Sequence, residues 1–159
     1  MGRDILKIID SLGNERYRTL IIHAPSESGS MMSNFCQRIA EVRGGSYVDL
    51  LDYFIERQDL SAQINRIGPE QFKQMLIELS KGEGILVIDR ADFLIDTWRK
   101  NQREAFMRMF QNQWDSYREG MQATLVFFLQ SSHDISALTD RDPSISVRVM
   151  LLSELDDIV

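Results

Sequence analysis

The clearest strand signal in this chain of 159 residues is Ile85-Leu86-Val87-Ile88-Asp89-Arg90-Ala91-Asp92. Its four leading apolar residues are too few for a helix and are rich in branched side chains, which is typical of a strand buried on both faces of a parallel sheet. Residues 19–22 and 125–129 form two similar runs, and polar or turn-forming residues follow each of them. The three runs therefore predict three buried strands of one sheet.

Weaker patterns predict the remaining elements. Residues 46–50 and 146–152 predict two further strands, the second because apolar and polar side chains alternate along it. Apolar residues spaced by three and four positions predict helices over residues 4–12, 31–42, 69–80, 97–119 and 134–140. Residues 51–68 receive no assignment.

Strands that alternate with helices of ten residues or more predict an α/β protein. We expect a three-layer core in which helices cover both faces of a five-stranded, mainly parallel sheet. The chain is expected to form one domain over residues 1–159, with a leading helix over 1–13, the core over 18–152, a tail over 153–159 and no lid domain. Ligands of such sheets bind beyond the carboxyl ends of the strands, so the residues that follow each strand are the first candidates for a site.

The composition is that of an ordinary globular chain and argues against several classes of protein. The 18 Lys and Arg residues against 24 Asp and Glu residues leave a net charge of −6, which argues against a protein that coats nucleic acid by bulk electrostatics. No apolar run reaches the roughly 18 residues that a membrane span needs. The first ten residues are too charged for a signal peptide. Cys36 is the single cysteine, so no disulfide or cysteine-rich metal site is predicted. We expect a cytoplasmic protein without a membrane partner.

The loop Ala24-Pro25-Ser26-Glu27-Ser28-Gly29-Ser30-Met31 has the position and length of a phosphate-binding P-loop, G-x-x-x-x-G-K-[ST]. Gly29 alone matches a defining position. Ser30 replaces the lysine, and Met31 replaces the hydroxyl residue that binds magnesium. The candidate nucleotide-binding residues are Ser28, Gly29, Ser30 and Met31. The alternative is an ordinary strand-to-helix turn in which Ser28 or Ser30 caps the helix.

Asp89 ends its apolar run about 60 residues after this loop, as the magnesium-binding carboxylate of a Walker B segment does. It is therefore the candidate metal ligand, provided that a magnesium nucleotide binds. The alternative is a carboxylate that caps the end of a strand.

Together these features resemble the core of P-loop ATPases of the AAA+ branch, which are related to bacterial replication initiators and clamp loaders. The chain length, the leading helix and the segment Asp89-Arg90-Ala91-Asp92 are similar to the BrxF family. That family comprises the small P-loop subunits of type III bacteriophage-exclusion (BREX) defence systems in bacteria. The resemblance implies a P-loop NTPase-like core and two catalytic candidates. Ser131 stands where related ATPases sense the γ-phosphate, and Arg141 stands near the place of an arginine finger. The alternative for Arg141 is local pairing with its acidic neighbours.

The resemblance also implies what the chain does. Arg90 occupies the place of the family's catalytic glutamate, and the loop lacks its lysine, so efficient hydrolysis is not expected. The implied function is a non-hydrolysing interaction, scaffold or regulatory subunit of a defence complex, with ATP and magnesium as cofactors only if the altered loop still binds them. The alternative is an ATP-binding switch whose hydrolysis a partner subunit completes in trans. The implied partners are other subunits of the complex, a second copy of this chain, and DNA only indirectly through the complex.

Overall fold

The computed structural model describes residues 2–13, 15–112, 114, 121 and 123–158. The strands are β1 (Thr19–Ala24), β2 (Ser46–Asp49), β3 (Ile85–Asp89), β4 (Thr124–Gln130) and β5 (Val149–Leu151). The helices are α1 (Ile5–Leu12), α2 (Gly29–Arg43), α3 (Leu50–Ile55), α4 (Gln58–Ala62), α5 (Pro69–Leu79), α6 (Asp92–Ile95), α7 (Lys100–Asn112) and α8 (His133–Arg141). Single 3-10 turns cover Ser26–Ser28, Ile64–Arg66, Pro143–Arg148 and Leu152–Glu154.

The five strands form one parallel sheet in the order β2-β3-β4-β1-β5. Successive side chains of a strand point to opposite faces of the sheet, so each strand contributes side chains to two apolar layers. Ile22 and Phe128 pack with α1 and α2 on one face, whereas Ile21 and Phe127 pack with α3, α5, α7 and α8 on the other. The predicted α/β fold class, a three-layer core with a P-loop-like plan, is confirmed.

The connections after β1 and β4 leave the sheet on opposite faces. Helix α2 follows β1 and lies on the first face, whereas α8 follows the neighbouring strand β4 and lies on the second. A crevice opens beyond the carboxyl ends of adjacent strands where such connections diverge, and it is the usual place for a ligand. The fold thus places the loop of residues 24–31 at the rim of this crevice.

Two predicted elements need correction at their bounds. The strand predicted over residues 146–152 is wrong in its first half, because Pro143 opens a 3-10 turn that continues to Arg148. Val147, which carried the alternating pattern, is 63% exposed, and the strand begins only at Val149.

The helix predicted over residues 97–119 begins later, at Lys100. Gln102 accepts a hydrogen bond from the backbone N–H of Arg99 at 2.8 Å and so caps this start. Trp114 lies outside the helix with a φ of 56°, and residues 113 and 115–120 lie outside the described residues. The unassigned residues 51–68 contain most of α3, all of α4 and a 3-10 turn.

No helix within the described ranges is both long enough and apolar enough to cross a membrane.

Candidate functional site

The loop after β1 is a tight turn that uses its own amides. The backbone N–H of Ser28 donates to the carbonyl of Pro25 at 3.0 Å, and that of Gly29 donates to the carbonyl of Ser26. Gly29 has an ordinary helical φ of −54°. Ser28 occupies the N-cap position of α2, but its hydroxyl makes no capping hydrogen bond. Two amides at the start of α2 are thus occupied by carbonyls and cannot also hold an anion.

The structure divides the candidate loop residues between two cavities. Gly29 and Ser30 line a cleft of about 490 Å³ together with Asp89. We call it the Asp89 cleft; its charged lining residues are Asp49, Asp89, Arg90 and Asp92, and the 24–31 loop contributes Ser26, Gly29 and Ser30. Ser28 and Met31 instead line a cavity of about 290 Å³ beside β5, and Met31 is 68% exposed. Met31 therefore does not share the cleft of Asp89.

Asp89 lies on the floor of the cleft and is 1% exposed. Its Oδ2 accepts hydrogen bonds from Ser33 Oγ and Tyr47 Oη, each at 2.7 Å. Its Oδ1 accepts the backbone N–H of Arg90 at 2.9 Å. A carboxylate offers about four lone-pair sites, so protein donors use nearly all of them.

The titration behaviour of the groups around Asp89 follows from the same arrangement. Burial raises the pKa of the Cys36 thiol strongly, and the negative charge of Asp89 adds to the effect. Burial also raises the pKa of the Tyr47 hydroxyl, and its hydrogen bond to Asp89 acts in the same direction. Both groups therefore keep their protons at neutral pH, and the Tyr47 hydroxyl remains a donor to Asp89.

Arg90 supplies the positive charge of the cleft lining, and its guanidinium hydrogen bonds with neighbouring carboxylates. Its backbone has a left-handed φ of 55°, which is rare for a residue with a side chain. The guanidinium donates to Asp49 through Nε at 2.8 Å and through Nη2, and to Asp52 at 3.2 Å. The hydrogen bond to Asp49 raises the pKa of Arg90 further.

Asp92 contributes a third carboxylate to the cleft. Its Oδ1 accepts the backbone N–H of Gln130 at 3.0 Å, which ties the start of α6 to the end of β4. Burial raises the pKa of this carboxyl, and the hydrogen bond from Gln130 opposes the shift only partly.

The cleft does not suit a magnesium nucleotide. Three carboxylates, those of Asp49, Asp89 and Asp92, line the cleft with one guanidinium, that of Arg90. This guanidinium already pairs with Asp49 and with Asp52. A triphosphate entering this cleft would meet net negative charge and no free lysine or arginine. Asp89 would also have to release Ser33 or Tyr47 before it could approach a metal ion. No cluster of three metal-ligating side chains occurs within the described residues.

The two catalytic candidates lie elsewhere. Ser131 Oγ shares a hydrogen bond of 2.9 Å with His23 Nδ1, and burial lowers the pKa of that histidine. Arg141 is exposed in the last turn of α8 and does not line the Asp89 cleft. Within the described residues Arg141 forms no ion pair, so the alternative of local pairing is not what the structure has.

Sequence reasoning missed Ser33 and Tyr47, the two hydroxyl donors of Asp89. Ser33 lies one helical turn after Ser30, on the same face of α2. Tyr47 lies on the edge strand β2 two residues before Asp49, and Asp49 pairs in register with Asp89. The spacing of both residues is visible in the sequence, but the strand order that brings β2 beside β3 is not.

Comparison of this chain with protein-family models, with curated proteins and with solved structures found no match to any of them.

Proposed function

We propose that this chain is a P-loop-fold subunit of a bacterial phage-defence complex of the BREX type, and that it acts through protein contacts rather than through nucleotide hydrolysis. The parallel sheet and the position of the 24–31 loop support the P-loop ancestry. The likeness of the loop and of the segment around Asp89 to the BrxF family supports the assignment to a defence complex. In this proposal the chain works in the cytoplasm with the other subunits of that complex and meets DNA only through them.

The hydrogen bonding of Asp89 carries the non-hydrolysing part of the proposal. In a working P-loop enzyme the corresponding carboxylate helps to hold magnesium. Here Ser33, Tyr47 and the Arg90 amide satisfy it, which makes Asp89 a structural link between α2, β2 and β3. The tight turn at Ser26–Ser28 supports the same conclusion, because it uses amides that would otherwise face a phosphate.

A second candidate function is an ATP-binding switch that a partner subunit completes. The position of the Asp89 cleft favours it, since the cleft lies beyond the carboxyl ends of the strands and has a volume of about 490 Å³. A partner would have to supply the cations that the cleft lacks. It would also have to free Asp89 from its present donors.

A phage-plating assay in bacteria that carry the complete defence locus tests both parts of the proposal. Deleting this chain should raise the plating efficiency of a restricted phage by orders of magnitude, and the wild-type chain should restore protection. Asp89→Asn keeps an acceptor oxygen for the hydroxyl donors but removes the charge that a magnesium ion needs, so this variant should also restore protection. Ser30→Ala should do the same.

Three outcomes would decide the matter differently. Unchanged plating after the deletion would refute a role in defence. A folded Asp89→Asn chain that fails to protect would favour the switch. Failure of Ser30→Ala alone would point to a specific contact at the start of α2, and it would also count against a purely structural loop.

A further inference from the structure

A second cavity adjoins the 24–31 loop, on the side of β5 rather than of β3. It has a volume of about 290 Å³ and lies beyond the carboxyl ends of β1 and β5. We call it the β5 cavity; the apolar lining residues that matter are Pro25, Met31, Phe35, Leu151, Leu152 and Leu155. It is separate from the hydrogen-bonded site around Asp89, which lines the other cavity beside this loop.

The rim of the β5 cavity exposes apolar surface to water. Met31 is 68% exposed, more than Ile55 or Val147, which are both 63% exposed. Phe35 and Leu155 are only half-buried, although they pack against the apolar core on this face of the sheet. An exposed methionine beside an apolar cavity is typical of a surface that a partner covers, because the flexible thioether side chain adapts to the shape of its partner.

The size of the β5 cavity favours a single protein side chain as its occupant. Pockets for small molecules have volumes of about 300–1,000 Å³, and this cavity lies just below that range at about 290 Å³. The side chains that anchor a protein interface fill small pockets of this kind and are often aromatic or otherwise large. One large apolar side chain of a partner therefore fits the cavity.

The neighbouring Asp89 cleft indicates a second property of the partner. Ser28 lines the β5 cavity and the next residue, Gly29, lines the Asp89 cleft, so one docked segment reaches both. The described lining of the cleft has three carboxylates and one guanidinium, that of Arg90, which already pairs with Asp49. A lysine or arginine close to the apolar side chain is therefore attracted to the cleft.

We propose that the β5 cavity docks an apolar side chain of a partner subunit, and that a lysine or arginine near that side chain faces the Asp89 cleft. This inference rests on the proposed function, because that function requires contacts with other subunits of a complex. It adds the surface by which the chain is held and the chemistry of the segment that holds it.

Photo-crosslinking in bacteria that carry the complete defence locus tests this inference. The photoreactive residue p-benzoylphenylalanine, placed at position 31 of the full chain, should form a covalent adduct with another subunit. Mass spectrometry should identify the attached segment as one with a lysine or arginine close to an apolar residue. Position 55 is the matched control, since Ile55 is 63% exposed at the end of α3 and does not line the β5 cavity. It should give no such adduct.

Met31→Lys provides a second readout, which is the protection against phage. Because Met31 is exposed, this variant should unfold close to the wild-type temperature. It should nevertheless lose most of the protection that the wild-type chain restores, since a charge replaces the apolar contact at the rim of the cavity. Ile55→Lys is the matched variant and should protect as the wild type does.

Several results would overturn the inference. They are the absence of adducts at position 31, equal adducts at position 55, or full protection by Met31→Lys. Adducts between two copies of this chain would assign the cavity to self-association and reject the partner subunit. Unchanged plating after deletion of the chain would refute the proposed function, whereas a deletion that abolishes protection, together with no adduct at position 31, would refute this inference alone. Loss of the adduct when millimolar ATP is added to the purified complex would assign the cavity to a nucleotide, and would contradict the proposed function as well.

Discussion

A buried carboxylate such as that of Asp89 needs hydrogen-bond donors in place of the water that it loses on folding. Ser33, Tyr47 and the amide of Arg90 are those donors, and they belong to α2, β2 and the turn after β3. The carboxylate thus joins three elements at the carboxyl edge of the sheet. In P-loop enzymes a carboxylate that follows a buried strand helps to hold magnesium, whereas the hydrogen bonds of Asp89 explain its presence here by structure alone.

Replacing Tyr47 by phenylalanine tests that explanation. Tyr47→Phe removes the hydroxyl that donates to Asp89 at 2.7 Å and leaves a buried acceptor with one donor fewer. We expect the free energy of unfolding to fall by about 1–2 kcal/mol, measured by urea denaturation. Tyr53→Phe is the control, because the Tyr53 ring packs against Arg57 at 3.6 Å, a contact that a phenylalanine ring largely preserves. Equal losses in the two variants would show that the Tyr47 hydroxyl contributes nothing particular.

Asp92 predicts a dependence of stability on pH. Burial raises its folded-state pKa above the unfolded value of 3.8, so the folded protein holds this proton more tightly than the unfolded chain. The stability that this group contributes is present at low pH and is lost as the pH rises from about 3.8 through the folded-state pKa. Asp92→Asn cannot ionise, so the variant should be more stable than wild type at pH 7. The advantage should shrink toward pH 4.

Thermal unfolding at pH 4, 5, 6 and 7 measures this difference. Asp140→Asn, at an exposed carboxylate of α8, is the control. An advantage of Asp92→Asn that is the same at every pH would contradict the assignment.

At the scale of elements, the first residue of α2, Gly29, has a backbone conformation and surroundings that would accept any residue. A Cβ built on Gly29 meets nothing within 4 Å, and its φ of −54° suits any residue. Gly45, at the start of β2, differs: a Cβ there would lie 2.8 Å from the carbonyl oxygen of Ile85 on the neighbouring strand. The glycine that matched the P-loop pattern is thus dispensable to the fold, whereas a glycine outside any motif is required.

We expect alanine substitutions at the two glycines to change the free energy of unfolding in opposite directions. Gly29→Ala should raise the free energy of unfolding by about 0.5–1 kcal/mol, since alanine restricts the unfolded chain and favours the helix. Gly45→Ala should lower it by more than that amount, because β2 and β3 must separate to admit the methyl group. Urea denaturation of both variants provides the measurement. A destabilised Gly29→Ala chain would mean that the loop keeps a conformation that only glycine allows.

The elements that the sequence predicted well have strong local signals. Helix α5 has Pro69 in its first turn, and β3 is a run of branched residues that ends in Asp89. The misplaced bounds lie where tertiary contacts override the local pattern. Trp98, which fits the helical spacing of α7, instead turns to donate its indole N–H to the carbonyl of Ile67 at 2.7 Å, and α7 starts after it.

The sequence predicted those residues of the candidate site that come directly at or after the end of a predicted strand. Asp89 is found because a buried strand ends in it, and Ser30 because it follows a strand within a loop of P-loop length. Tyr47 could not be found, because its role depends on β2 lying beside β3 rather than beside β1. The contacts of Arg148 with Thr19 and Phe110 could not be predicted either. The sequence predicted a strand at this position, whereas the structure has a 3-10 turn that ends at Arg148.

At the scale of the whole molecule, the carboxyl end of the sheet gathers acidic side chains. Asp49, Asp89 and Asp92 line the Asp89 cleft there, and Arg90 is the cation of its described lining. A cationic group therefore approaches this end of the sheet more favourably than a phosphate does.

The most direct test of the account is thermal unfolding of the full chain with magnesium and millimolar ATP, ADP or GTP. A ligand present at 100 times its dissociation constant adds about 2.7 kcal/mol, which corresponds to roughly 5–10 °C for a domain of this length. The measurement should use wild type and Asp89→Asn, each with and without magnesium. We predict no rise that depends on both magnesium and Asp89. A magnesium-dependent rise that disappears in Asp89→Asn would contradict the account, and would establish the Asp89 cleft as a nucleotide site.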